Sequence, residues 1–168
     1  MIFLGIDPGW SGAIATIERR ENGSRRTAVW KMPETDVGIA VLAKKLATLG
    51  ITGAVLELVN CRPGEAQPSV WKFAANFFGW KMALLLVGIE YDLVQPQVWQ
   101  KEFALLVPGI SKIPDQKARE KAKREKKNLN KAEAQRQFPS LKVTLANCDA
   151  LLIARYAELR FTPRSKFP

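Results

Sequence analysis

Histidine is absent from all 168 residues of the chain. Its absence excludes serine–histidine and cysteine–histidine nucleophile pairs, histidine-bound zinc and a histidine general base. Any chemistry must therefore depend on carboxylates, on lysines, or on a metal ion that these side chains bind.

Cysteine is scarce, and long apolar runs are missing. Cys61 and Cys148 are far apart in the sequence and away from other metal-ligating residues, so they indicate no disulfide framework, and we expect both to behave as small apolar residues. The longest apolar run, 82–87, is far too short to span a bilayer. With no signal peptide or lipidation motif in view, we expect a cytoplasmic protein, associated with the nucleoid or, if encoded by a phage, in the host cytoplasm.

Acidic residues are outnumbered by basic ones. The chain has 26 lysines and arginines against 16 aspartates and glutamates, which gives a net charge of +10. A domain this basic most often binds a polyanion, and nucleic acid is the first candidate, ahead of a membrane surface. The length fits one compact domain, expected over 1–162, with a flexible tail at 163–168.

The order of hydrophobic patterns predicts an α/β domain. Strands come first and then alternate with helices, which is typical of a mixed sheet flanked by helices. The predicted strands are 1–8, 11–18, 26–32, 53–59 and 89–94, and the predicted helices are 36–49, 69–87, 97–106, 131–138 and 145–160.

Three acids occupy positions where a solvated surface would not normally place them. Asp7 ends the first strand, Glu57 interrupts an apolar strand, and Asp149 begins an apolar helix. Each has an ordinary alternative: a turn former, an acid on an edge strand, or an acid that favours a helix N-terminus. Together they suggest a site for Mg²⁺, which takes oxygen ligands from carboxylates and from substrate phosphate. Two such ions can stabilise the attacking and leaving oxygens of a phosphodiester displacement.

Several segments, in this order, resemble those of RuvC-like Holliday junction resolvases. The resemblance extends from residue 2 to about residue 160, and it is closest to the phage, bacterial and plastid branch because 60–64 precedes 73–79. The segments are Gly5-Ile6-Asp7-Pro8-Gly9, Ser11-Gly12-Ala13, Glu57 in its strand, Gln95-Pro96-Gln97-Val98-Trp99-Gln100-Lys101, Gln137-Phe138-Pro139 and Asp149-Ala150-Leu151-Leu152-Ile153-Ala154.

The resemblance implies a ribonuclease H-like fold with a mixed five-stranded sheet, a homodimer, and Mg²⁺-dependent paired nicking of four-way DNA junctions that leaves a 5′-phosphate. It implies that Asp7 bridges two Mg²⁺ ions, with Glu57 on one ion and Asp149 on the other. Mn²⁺ is the expected substitute. No small-molecule cofactor or membrane partner is implied.

One departure from the family pattern bears on activity. The family usually has a further acid, or a histidine, one turn before the acid that matches Asp149. Here those places hold Leu145 and Ala146, followed by Asn147 and Cys148. Asn147 could offer a carbonyl oxygen, but its spacing is poor for sharing a helix face with Asp149. The second ion is then expected to be held weakly, or by substrate and water, and the alternative function is an inactive junction-binding protein of the same fold.

Between residues 112 and 136 lie ten basic and four acidic residues. This run predicts phosphate contacts; the alternative is a solvated helix or a mobile loop. Among the aromatic residues, we expect Trp71 and Trp99 to be buried, and the helix face carrying Phe77 and Trp80 to be core or dimer interface. The candidate DNA-binding residues are Lys72, Lys101, Lys117, Lys121, Arg124, Lys127 and Lys131.

Overall fold

The structure is a computed structural model that describes residues 1–58 and 67–163, apart from the side chains of 67–69 and 111. The strands are β1 (Ile2–Asp7), β2 (Ala13–Arg19), β3 (Arg25–Lys31), β4 (Ile51–Glu57) and β5 (Asp92–Val94). The α-helices are α1 (Asp36–Ala47), α2 (Gln67–Leu86), α3 (Pro96–Glu102), α4 (Gln116–Gln137) and α5 (Cys148–Phe161), and one 3₁₀ turn covers Ile110–Lys112.

The strands form one mixed five-stranded sheet in the order β3-β2-β1-β4-β5. The central strand β1 is antiparallel to β2 and parallel to β4, and β4 is parallel to β5. The predicted architecture, a mixed five-stranded sheet flanked by helices, is confirmed. Because β1 and β4 run in the same direction, their carboxyl ends meet at one edge of the sheet.

Side chains of β1 alternate between two helical layers. Leu4 and Ile6 pack with α1 and α2, while Phe3 packs with α5 on the opposite face. Gly5 faces α5 so closely that a Cβ atom there would lie 2.2 Å from the backbone nitrogen of Ala154. Helix α5 can therefore lie directly on β1, and this contact sets the distance between the N-terminus of α5 and the end of β1.

Helix α4 differs most from expectation. It is one helix of 22 residues, whereas hydrophobic spacing predicted helix only over 131–138. The side chain of Asp115 caps its N-terminus by accepting a hydrogen bond from the backbone of Ala118 (2.7 Å). Strong helix formers then continue without glycine or proline until Pro139. The predicted α5 starts three residues too early, because the segment before Cys148 forms a turn.

Three predictions fall on parts of the chain outside the described residues, one of them the expectation that Cys61 behaves as a small apolar residue. The segment 60–64, which supported the assignment to one branch of the family, is another, and the proposed tail is described only at Pro163. Among the described helices, none combines the length and the apolar character needed to cross a membrane.

Candidate metal and nucleic-acid site

Asp7 lies at the carboxyl end of β1, where a tight turn fixes its side chain. Its Oδ1 accepts a hydrogen bond from the backbone N–H of Gly9 (3.1 Å), and the N–H of Gly12 closes the turn on the carbonyl of Gly9 (2.8 Å). A Cβ atom at Gly12 would lie 2.2 Å from the carbonyl oxygen of Asp7. The turn therefore requires glycine at position 12, and it presents the Asp7 carboxylate at the edge of the sheet.

Helix α2, which packs on the face of the sheet opposite to α5, stabilises this turn. The side-chain amide of Asn76 donates a hydrogen bond to the carbonyl of Pro8 (3.1 Å), and Asn76 is only 6% exposed. Asn76 was not among the residues predicted for the site. The available signal was an asparagine within a largely apolar helix, since such a side chain needs a specific partner if it is buried.

Glu57 occupies the matching place on the neighbouring strand. Ile6 and Leu56 are paired in the parallel register. Asp7 and Glu57, the next residue of each strand, therefore lie side by side at the strand ends and face the same layer. The indole N–H of Trp99, on α3, donates a hydrogen bond to Oε1 of Glu57 (2.8 Å). Trp99 is fully buried, as predicted. Its hydrogen bond fixes the Glu57 carboxylate without neutralising it.

Asp149 stands in the first turn of α5 and is paired by α4. Lys127 forms a salt bridge to its Oδ2, and the side-chain amide of Asn130 donates to its Oδ1 (3.0 Å). The Cys148 thiol also contacts Oδ1 (3.4 Å). Cys148 lies in the core, as expected of a small apolar residue, and burial together with Asp149 raises the pKa of its thiol to about 12. It is not a nucleophile.

The three carboxylates share one electrostatic environment. Burial, reinforced by the charge of Asp149, raises the pKa of Asp7 to about 6. Burial and the charge of Asp7 raise the pKa of Glu57 to about 8. Burial lowers the pKa of Lys127, but attraction to Asp149 and Asp7 outweighs it and the net shift is upward. With all three carboxylates ionised, the cluster would hold more negative charge than Lys127 neutralises, and burial opposes that ionisation at Asp7 and Glu57.

The donor set suits a hard divalent cation only in part. Among the described residues, Asp7 and Glu57 have neighbours that fix their orientation but no directly bonded cation, and oxygen ligands from such carboxylates suit Mg²⁺ or Mn²⁺. Asp149 is different, because Lys127 and Asn130 already bind its oxygens. Accordingly, within residues 1–58 and 67–163, no group of three or more acidic, histidine or cysteine side chains is arranged to hold a metal ion.

The place of the missing acid remains without an oxygen ligand. Leu145 and Ala146 lie in the turn before α5, both exposed. The amide oxygen of Asn147 accepts a hydrogen bond from the backbone of Thr144 (2.7 Å), and its nitrogen donates to the carbonyl of Lys142 (3.3 Å). Asn147 therefore stabilises the turn rather than supplying a ligand.

The basic residues predicted to bind DNA fall into four environments. Lys127 lies against Asp149. The ammonium of Lys72 lies 5.2 Å from the centre of the exposed Trp10 ring, next to the Asp7 turn. Lys101 is exposed on α3. The others are exposed and share one face of α4 at helical spacing, which we call the α4 stripe: Lys117, Lys121, Arg124 and Lys131. The stripe spans about 21 Å at the rise of an α-helix.

Helix α2 has one buried and one exposed apolar face. Phe77 and Trp80 are buried, so the expectation of a core face is met there. Trp71 was expected to be buried and is 76% exposed, so that prediction is wrong. Phe78 and Met82 are exposed as well. Hydrophobic spacing could not show which of the two faces the sheet covers.

The comparisons with known proteins give the fold. No protein-family model and no curated protein matches the chain. Two solved structures of RuvC from Thermus thermophilus are similar to it: one in complex with a Holliday junction substrate (TM-score 0.62, 14% identity) and another RuvC structure (TM-score 0.61, 15% identity). Each comparison covers 95% of this chain and 96% of the other. The chain therefore has the ribonuclease H-like fold of RuvC, as the sequence motifs predicted.

Proposed function

We propose that this protein is a structure-selective endonuclease that resolves four-way DNA junctions by paired, Mg²⁺-dependent nicking. One observation carries the proposal: Asp7 and Glu57 are buried at adjacent strand ends beside Asp149, and among the described residues neither carboxylate is directly bonded to a cation. Buried carboxylates are costly unless they are paired or bind a metal. The likeness to RuvC, one structure of which contains a Holliday junction substrate, supports the choice of DNA.

In this proposal Asp7 and Glu57 hold the divalent ion, and Asp149 completes the acidic cluster. A bound divalent ion would neutralise charge on a phosphodiester and favour ionisation of a nearby water. The protein's own part is positional. The Gly9–Gly12 turn orients Asp7, and the Trp99 indole orients Glu57, so neither carboxylate has to reorganise when a cation and a phosphate arrive.

The α4 stripe is the proposed phosphate-binding surface. Its four cations are exposed and follow one helix face next to the face that carries Lys127, so DNA on the stripe lies alongside the acidic cluster. Each phosphate neutralised by lysine or arginine adds to affinity and to its dependence on salt. Lys101 and Lys72 are proposed as further phosphate contacts.

A homodimer is proposed because paired nicking needs two active sites related by twofold symmetry. The exposed apolar face of α2, formed by Phe78, Met82 and Leu85, is the proposed dimer surface. Apolar groups this exposed on one helix face are typical of an interface. Changing Met82 and Leu85 to glutamate is expected to convert a dimer to a monomer in sedimentation equilibrium while the far-UV circular dichroism stays unchanged.

A second candidate is a junction-binding protein that does not cut. The salt bridge from Lys127 to Asp149 favours it, because that carboxylate is already neutralised. The two functions share the same DNA surface and differ only in what happens when Mg²⁺ is added.

The decisive experiment incubates the protein with an end-labelled four-way junction, with and without Mg²⁺. We expect paired nicks only with Mg²⁺, and we expect Asp7→Asn to abolish nicking while it retains junction binding in a gel-shift assay. Glu18→Gln is the matched control, since Glu18 lies at the opposite end of the sheet, where it pairs with Ile2. Binding without nicking by the wild type would establish the second candidate, and cutting by Asp7→Asn at the wild-type rate would refute the proposed site.

A further inference from the structure

Helix α4 places a cation, Lys127, among the three carboxylates. Helix α4 brings Lys127 and Asn130, one turn apart, to the two oxygens of Asp149. Asn130 is 3% exposed, and its side-chain oxygen has no hydrogen-bond partner among the described residues. An unsatisfied buried oxygen is unfavourable, so the Asn130 amide donates to Asp149 at the cost of leaving its own oxygen unpaired. Both donors fix the Asp149 carboxylate toward α4.

Lys127 is placed to act as a permanent charge. Its side chain is 35% exposed and that of Asp149 is 14% exposed, so the pair is partly shielded from water. The ammonium is also attracted by Asp7. The same charge favours the ionised form of Glu57, so one cation of the chain acts on all three carboxylates.

The same region offers a second divalent ion no ligand in place of the missing acid, so such an ion would depend on Asp149 and on water. No acid stands at 145 or 146, and the Asn147 amide is used by its own turn. A divalent ion at Asp149 would have to displace or face the ammonium of Lys127. At close range, repulsion between these charges is large in a partly buried site.

We propose that the ammonium of Lys127 takes the place of a second divalent ion, so that the site binds one divalent ion per chain, at Asp7 and Glu57. The inference rests on the proposed function and specifies how its cation site is built. Lys127 is then part of the catalytic cluster rather than of the α4 stripe, and Asn130 is a positioning residue that holds Asp149 for it.

The test counts bound Mn²⁺ by electron paramagnetic resonance of the free ion, with protein alone and without DNA. We expect one Mn²⁺ per chain in the wild type and none in Asp7→Asn. Lys127→Met removes the charge and keeps most of the side-chain volume, and it is expected to bind two ions per chain. Lys123→Met, an exposed position one turn earlier on the same helix, is the control and is expected to bind one. Thermal melting in EDTA checks that each variant is folded.

The outcomes separate this inference from the proposed function. Two ions per chain in a wild-type protein that nicks junctions would overturn the inference and leave the function intact. One ion in folded Lys127→Met would also overturn it. A wild type that binds no Mn²⁺ and does not nick would refute the metal-dependent function itself, and with it this inference.

Discussion

Replacing Glu57 with glutamine should stabilise the metal-free protein at alkaline pH. Glu57 is buried, and the charge of Asp7 further opposes its ionisation, so its pKa rises from 4.5 to about 8 in spite of the hydrogen bond from Trp99. Glutamine keeps an oxygen that can accept that hydrogen bond and carries no charge. The substitution therefore removes a cost of folding that the wild type bears without metal.

The sign of the pH dependence follows from proton binding. Between pH 4.5 and about 8, the folded protein holds a proton on Glu57 that the unfolded chain has released, so the free energy of unfolding of the wild type falls as the pH rises through this window. Each pKa unit corresponds to about 1.4 kcal/mol. The full shift then corresponds to roughly 4–5 kcal/mol, and with relaxation of the site we expect a gain of about 2–4 kcal/mol for Glu57→Gln at pH 8.5 and a gain near zero below pH 4.5.

Urea unfolding in EDTA, from pH 4.5 to 9, measures this difference. Glu18→Gln is again the control, and its effect should not change with pH. Saturating Mg²⁺ should stabilise the wild type and not Glu57→Gln, since binding to the folded state alone adds stability. A gain that is the same at every pH would show that folding does not shift the pKa of Glu57, and a loss of stability at pH 8.5 would show that Glu57 is ionised and well paired in the folded protein; either result would refute the reasoning about the site.

Gly5→Ala should lower the free energy of unfolding by more than about 3 kcal/mol or prevent folding, because its Cβ would overlap the backbone of Ala154; circular dichroism during thermal melting measures this. Glu158→Gln should cost about 2 kcal/mol in urea unfolding, because the buried Glu158 carboxylate binds Arg25 of β3 (2.8 Å) and Arg155 of α5 (2.6 Å); no loss would mean that the two ion pairs contribute nothing. Lys121→Gln should reduce the slope of log affinity against log salt for junction DNA by about one for each chain that contacts the DNA, or about two for the proposed dimer, and an unchanged slope would place the phosphates elsewhere.

Local signals in the sequence were enough to predict the fold. The Asp-Pro-Gly turn between two apolar strands, and the alternation of strands and helices after it, specify most of the sheet. Helix α4 was underestimated because the prediction relied on apolar spacing. That helix is polar along most of its length, and its buried positions are few: Asn130 and Ala134. Its extent follows from helix propensity and capping instead.

The candidate site was predictable in part. Asp7 was detectable because it ends an apolar strand, and Glu57 because it interrupts one that the structure ends at that residue; parallel strands bring their carboxyl ends together. The partners of Asp149 were not detectable, since Lys127 lies 22 positions earlier in the sequence in a run where every basic residue looks equally suited to DNA. Only the packing of α4 on α5 distinguishes it. Trp71 was misjudged for a similar reason, because spacing does not show which face of α2 meets the sheet.

The continuity of α4 links the two charged surfaces of the molecule. Lys127 and the α4 stripe lie on one unbroken helix, with Lys127 about 75° around the axis from the middle of the stripe. Phosphates bound along the stripe would therefore act on the same rigid element as the carboxylate that Lys127 binds. A helix of this length and composition is held against the domain mainly at its carboxyl-terminal half, where Asn130 and Ala134 are buried. The Lys127–Asp149 pair stands at the boundary between the anchored half and the exposed half, which is where a bound DNA strand would meet the acidic cluster.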